Sequence, residues 1–147
     1  MSQQREQQRQ KPDWEPSPEQ IRTWIREGLD KEVEGINGVD QCQKFGNHLA
    51  KKDEMSTSQV RKFFGALKKL QSQIHNNEDL ESNYHELLML KPQLAYAAGK
   101  NKRNTKNFKN VLTQCIDNIE RREKQHFCNF VRFVEATVAY HKAAGGE

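Results

Sequence analysis

A run of thirty residues from Leu87 to Ile116 contains no aspartate or glutamate, although the chain has 20 acidic residues among 147. The cations of this run are Lys91, Lys100, Lys102, Arg103, Lys106 and Lys109. Cationic side chains without neighbouring carboxylates bind phosphates through charge, whatever the base sequence. The run therefore indicates a surface that binds an anionic backbone. Charge alone leaves equally open a solvated basic surface that keeps the protein soluble.

A second acid-free segment lies between Glu54 and Glu78. Its apolar residues keep helical spacing from Val60 to Ile74, which predicts a helix with an aromatic inner face. Residues seven apart lie in one row of a helix, so Arg61 shares a row with Lys68. Lys62 and Lys69 form a second row. If this helix packs beside the basic run, its lysines and those of the run line one groove.

Residues that could support catalysis or bind a metal form no recognisable motif. The candidates are His48, His75, His85, His126 and His141, together with Cys42, Cys115 and Cys128. They include no His-x-x-x-His pair and no zinc spacing, and the chain has no P-loop, dinucleotide fingerprint or nucleophile elbow. We therefore predict no catalytic residue, no metal and no cofactor. An odd number of scattered cysteines indicates a reducing, cytoplasmic setting.

The elements that position these residues are predicted to be helices, since no segment alternates with period two. The fold class is therefore all-α, a compact bundle of about five to six helices. Helices are predicted from Pro18, at 39–52, from Thr57, at 79–90, at 106–122 and at 123–142, with 30–40 as a loop or frayed extension. Pro92 is expected to break the fourth helix and start a short one, and 101–105 to form a basic connector.

The predicted domain organisation is a flexible polar tail at 1–16, one helical domain at 17–143 and a flexible end at 144–147. Trp14 is the one tail residue expected to dock on the domain. The aromatic residues Phe63, Phe64, Phe108, Phe127 and Phe130 are assigned to the core rather than to base stacking. Phe133 lies off the main stripe of its helix, so it is expected to face a partner subunit or the tail. No apolar run is long enough for a membrane span.

Three segments resemble the small helical subunit of type III-A (Csm-type) CRISPR interference complexes. Residues 55–64 read MSTSQVRKFF, residues 90–100 read LKPQLAYAAGK and residues 130–142 read FVRFVEATVAYHK. They are similar to that family's segments T-x-S/T-Q-I-R-K-F-Y, K-P-x-L-A-Y-A-A-G-R and F-x-x-F-x-E-A-I-V-A-Y-H-K, in the same order. The likeness covers roughly residues 39–142. Lys100 stands where the pattern often has Arg, and Phe64 replaces a usual Tyr.

The resemblance implies a subunit without catalytic activity that stacks in several copies along the channel where guide and target RNA pair. Its partners would be the crRNA and target RNA, through backbone contacts chiefly to the target strand, the other subunits of the complex, and copies of itself. It would help to monitor complementarity in antiviral defence. The matching basic positions are Arg61, Lys62, Lys91 and Lys100. Charge adds Lys52, Lys69, Lys102, Arg103 and Lys106 to the predicted RNA contacts.

Two other functions fit the same residues. In the first, the protein is a helical adaptor whose basic face docks on acidic partner subunits without touching RNA. Charge reversal at Lys100 and Arg103 separates the two, because an adaptor would lose assembly while RNA crosslinking persisted. In the second, it is a helical DNA-binding regulator, which ranks last because the chain has no recognisable helix-turn-helix.

Overall fold

The computed structural model describes residues 11–97 and 102–146. The helices within these ranges are α1 (Pro18–Glu27), α2 (Gly38–Lys51), α3 (Thr57–Gln71), α4 (Asn77–Ser82), α5 (Tyr84–Leu88), α6 (Leu90–Ala97), α7 (Lys102–Asp117) and α8 (Lys124–Ala143). Two short strands, β1 (Glu32–Val33) and β2 (Ile36–Asn37), form an antiparallel pair between α1 and α2. The predicted all-α fold class is confirmed, with this hairpin as its only extended element in the described ranges.

The first helix begins where its sequence predicts. The hydroxyl of Ser17 accepts a hydrogen bond from the backbone N–H of Gln20, and the Gln20 side chain accepts one from Ser17 N–H. This capping box satisfies donors that the first turn leaves unpaired. The following hairpin replaces the expected loop at 30–40. It is held by indole Nε1 of Trp24, which donates to the Lys31 carbonyl at 2.8 Å, and by Gln20 Nε2, which donates to the Val33 carbonyl at 2.9 Å.

The centre of the core is the contact between α2 and α8. Gly46 of α2 approaches the α8 backbone so closely that an added Cβ would lie 2.8 Å from His141 N and Thr137 O. Next to it, the Cys42 thiol donates to the Phe133 carbonyl, and the rings of Phe45 and Phe133 are 6.4 Å apart. The expectation that Phe133 faces a partner or the tail is wrong. Its side chain is completely buried, because α8 is enclosed on several sides.

The middle of the chain differs from the predicted helices. The expected helix at 79–90 is two short helices separated at Asn83, and Leu88 at the end of the second is exposed. The short helix predicted at Pro92 is present as α6, which begins at Leu90 and holds Pro92 in its first turn, where N–H groups have no intrahelical acceptor to lose.

The expected basic connector at 101–105 is also wrong, since α7 already begins at Lys102. Asn104 explains the earlier start: its side-chain amide donates to the Glu54 carbonyl at 3.3 Å and also bonds the Gln59 side chain. These contacts with a distant part of the chain stabilise a turn in which Asn104 and Thr105 favour helix only weakly.

The segment before α1 is in contact with the helices. Trp14 stacks on His48 with ring centroids 4.2 Å apart, as its apolar ring predicted. The Asp13 carbonyl accepts a hydrogen bond from Gln41 Nε2 at 2.9 Å. Residues 1–10 of the predicted tail lie outside the described residues, and the division into tail, domain and C-terminal end stays a prediction.

The cysteines give a direct test of this packing. Burial raises the pKa of the Cys42 thiol to about 12 and raises the pKa of Cys115 as well, whereas Cys128 is half-buried. Because the thiolate is the reactive form, we expect a maleimide to label only Cys128 rapidly in the native protein. All three should react in denaturant, and mass spectrometry of the adducts distinguishes the cases. Rapid native labelling of Cys42 or Cys115 would contradict the packing of α2 and α7 on α8.

Candidate nucleic-acid interface

Helix α3 presents the central cations of the candidate surface. Ser56 and Gln59 form a capping box at its start, and Val60, Phe63, Leu67 and Leu70 are buried on its inner face. This places Arg61, Lys62 and Lys69 on the solvent side, where all three are exposed. Among the described residues none of the three forms an ion pair with a carboxylate. Their charges are therefore available to an anionic partner.

A groove between α3 and α6 brings Lys62 and Lys69 together. Its first part encloses about 300 Å³ and is lined by Lys62, Phe63, Met89, Pro92, Gln93 and Tyr96. Its second part is lined by Lys69, Leu90 and Gln93 and by one carboxylate, that of Glu86. Gln93 lines both parts, so the two parts adjoin each other. Lys62 and Lys69 are seven positions apart on α3, which separates them by a rise of roughly 10 Å along the helix axis.

Lys91 does not share this groove. Its ammonium lies 2.5 Å from Oδ1 of Asp117, near the end of α7. With Lys109 it lines a separate depression on the α7 side of α6, and Pro92 lies between the two surfaces. The single groove expected from the sequence is therefore divided by α6. Asp117 partly neutralises Lys91, so Lys91 attracts a phosphate less strongly than Lys62 and Lys69, which form no ion pair among the described residues.

Lys52 and Lys106 lie on either side of a second junction, where the loop after α2 contacts the first turns of α7. Asn107 Nδ2 donates to Oδ2 of Asp53 at 2.9 Å, so the neighbours of the two lysines are directly bonded. Both lysines are exposed. Close by, the rings of Phe63 and Phe108 meet edge to face at 5.7 Å, which fixes α7 against α3. The junction thus joins the predicted cations of α2 and α7 to the helix that carries Lys62.

Arg61 is on the other flank of α3. Lys68, in the same row, has its ammonium 3.1 Å from Glu135 of α8, and Thr57 donates to the Gly146 carbonyl at 2.8 Å. This row therefore faces α8 rather than α6. Arg61 is exposed beside the groove-forming helices but does not line the groove.

Three predicted contacts fall on parts of the chain without described side chains. Lys100 lies outside the described residues, and the side chains of Lys102 and Arg103 are likewise outside them. The α7 backbone at 102–103 directly precedes Asn104, whose amide bonds the Glu54 carbonyl and the Gln59 side chain. The start of α7 is thereby tied to the start of α3.

An asparagine and glutamine network in this region was missed by sequence reasoning. The side chains of Asn104, Asn107 and Gln59 join the ends of three elements. In the sequence, these residues are recognisable only as polar residues. The capping box at Ser56 fixes Gln59, so the single local signal was the cap itself. The network orients the cationic surface without contributing charge to it.

The described residues contain no set of three metal-binding side chains, and none of their helices meets the length and apolarity that a bilayer span requires. The histidines that make specific contacts join structural elements. His48 Nε2 lies 3.3 Å from Asp53, and buried His141 has its Nε2 2.6 Å from the Met55 carbonyl. These contacts hold the loop that follows α2.

Comparison with known proteins identifies the family. A profile described as Csm2 Type III-A matches residues 32–147, which is most of the chain and includes the acidic hairpin that the motif likeness left out. No curated protein and no solved structure gives a significant match. The three motifs lie within the matched range and supply α3, α6 and α8 of the fold. The chain therefore belongs to the Csm2 Type III-A family, the small subunits that join the other subunits of a type III-A CRISPR complex.

Proposed function

We propose that this chain binds RNA through its sugar-phosphate backbone, without catalysing a reaction, as part of the type III-A complex in the cytoplasm. The observation that carries the proposal is the groove between α3 and α6, where two exposed lysines without ion-pair partners among the described residues face a helix of the acid-free run. Ammonium groups contact phosphates without reading base edges. Such binding accepts any guide or target sequence, as a subunit beside variable RNA must.

The predicted contacts take different places in this proposal. Lys62 and Lys69 bind phosphates in the groove, and Lys52 and Lys106 extend the path across the junction with α7. Arg61 contacts RNA from the flank of α3, and Lys91 adds a contact that its ion pair with Asp117 weakens. We assign Lys100, Lys102 and Arg103 to the same cationic path from their positions in the sequence. The strand contacted is chiefly the target, so that occupancy of the groove reports pairing with the guide.

Several copies would stack along the RNA. The support is the uneven distribution of charge, because the α1–hairpin region has many exposed acids and α3 presents cations. The exposed acids are Glu19, Glu27, Asp30, Glu32, Glu34 and Asp40. An acidic end next to a basic face favours head-to-tail contact between identical copies on a polyanion.

The proposal predicts strongly salt-dependent binding of the full chain to single-stranded RNA. Each neutralised phosphate of a single strand contributes about 0.7 to the slope of log K against log salt concentration. We expect a slope of roughly −1.4 or steeper, corresponding to at least two phosphates, in titrations of fluorescent oligouridine between about 50 and 200 mM salt. An affinity that does not change over that range would exclude backbone binding and favour the adaptor function.

A further inference from the structure

Tyr96 is an unusually exposed aromatic residue. Large apolar side chains that are exposed in the described ranges are Val39, Leu88, Met89 and Tyr96, and three of these four lie within nine residues of each other. The side chain of Tyr96 is 83% exposed, whereas Tyr84 and Tyr140 pack against the core. A tyrosine exposed to this extent contributes little to the core, so its ring is available to a ligand.

The ring of Tyr96 lines the more apolar part of the groove between α3 and α6. Phe63, Met89 and Pro92 supply the apolar lining, while Lys62 and Gln93 supply the polar groups. Among the described residues, no carboxylate lines this part of the groove, since Glu86 contributes only to the second part. The site therefore combines a flat aromatic face, an apolar floor and one cation. Its ligand must be apolar and flat on one side and anionic on the other.

We propose that this part of the groove holds one unpaired RNA base, which stacks on Tyr96 while the phosphate of the same nucleotide binds the Lys62 ammonium. The proposal rests on the RNA-binding function above and adds a base subsite to it. Stacking on an aromatic side chain is tolerant of sequence, because every base has a π-face. The Gln93 amide can donate or accept at a base edge, so it imposes no single base.

The dimensions favour a base over a protein segment. A docked helix needs several apolar anchors along a groove, spaced at three, four and seven residues. Here the 300 Å³ part is the more apolar one, whereas the adjoining part is predominantly polar, with Lys69, Gln73 and Glu86 beside Leu70 and Leu90. One ring-sized ligand fills the first part, and a phosphate chain follows the second past Lys69.

The test measures binding of the full chain to oligouridine that carries one fluorescent purine analogue. We expect wild type, Tyr96→Phe and Tyr96→Trp to quench the analogue, and Tyr96→Ala and Tyr96→Leu to lose the quenching together with about fivefold or more in affinity. Leucine keeps an apolar side chain without a π-face, so it separates stacking from burial. Because Tyr96 is exposed, circular dichroism should show the same fold for all variants.

An oligomer made only of abasic sugar-phosphate units, with no base at any position, provides the second arm. Here wild type and Tyr96→Ala should bind equally, because only phosphate contacts remain. If Tyr96→Ala does not change the salt-dependent binding of oligouridine, the base subsite is overturned, while the proposed backbone binding stands. If Tyr96→Ala leaves RNA binding unchanged but weakens binding to the other subunits, the groove binds a protein rather than a base. Absence of RNA binding by the wild type would overturn both proposals.

Discussion

Replacing Gly46 with alanine is expected to lower the free energy of unfolding by about 2–3 kcal/mol. The new Cβ would lie 2.8 Å from His141 N and Thr137 O, and 2.9 Å from Cβ of Tyr140. Two of these are backbone atoms of α8, so no side chain can rotate away and the helices must separate. Separation would loosen the core around Phe45 and Phe133, which this crossing holds together.

Gly65→Ala is the matched control. Gly65 lies within α3, and an added Cβ there meets no atom within 4 Å. Alanine is the better helix former by about 1 kcal/mol, so this variant should be as stable as wild type or more stable. Urea denaturation followed by circular dichroism measures both. Equal stability of the two variants would show that α2 and α8 have room for a methyl group at their crossing.

The double substitution Lys62→Ala with Lys69→Ala should weaken binding of single-stranded RNA by roughly tenfold at about 50 mM salt. It should also reduce the salt slope by about 1.4, since two phosphate contacts of about 0.7 each are removed. Both side chains are exposed on α3 and form no ion pair within the described ranges, so the fold should not change. Fluorescence anisotropy at several salt concentrations gives affinity and slope together.

The double substitution Arg22→Ala with Lys31→Ala is the control for the loss of net charge. These two cations are also exposed, and they lie on α1 and beside the hairpin among acidic residues. The control removes the same charge from a different region and should leave the salt slope close to that of wild type. If both double variants lose the same affinity, overall charge rather than the groove determines RNA binding.

Local hydrogen bonding made the starts of α1 and α3 predictable. In both, a serine and the glutamine three residues later satisfy each other's backbone donors, an arrangement that depends only on adjacent sequence. The helical stripe of Val60, Phe63, Leu67 and Leu70 was predictable for the same reason, because apolar spacing is a local property. The exposed position of Lys62 and Lys69 followed from that stripe by geometry.

Features that depend on distant contacts were not predictable. The ion pair of Lys91 with Asp117 joins residues 26 positions apart and exists only because α6 packs beside α7. The helical turn at Asn104 relies on bonds to the loop before α3, and the burial of Phe133 relies on α2. Sequence therefore indicated which cations are present, whereas the division of their surface by α6 required the packed structure.

The contact of α1 and α2 with α8 also has a consequence for biosynthesis. Asn129 of α8 donates to the Ile25 carbonyl across 104 positions, and Cys42 bonds the Phe133 carbonyl across 91. On the ribosome, α1 and α2 emerge long before the helix that covers their apolar faces. The nascent chain must carry these faces uncovered until residues 124–143 have been translated, so folding is completed late and chaperone binding is favoured in the interval.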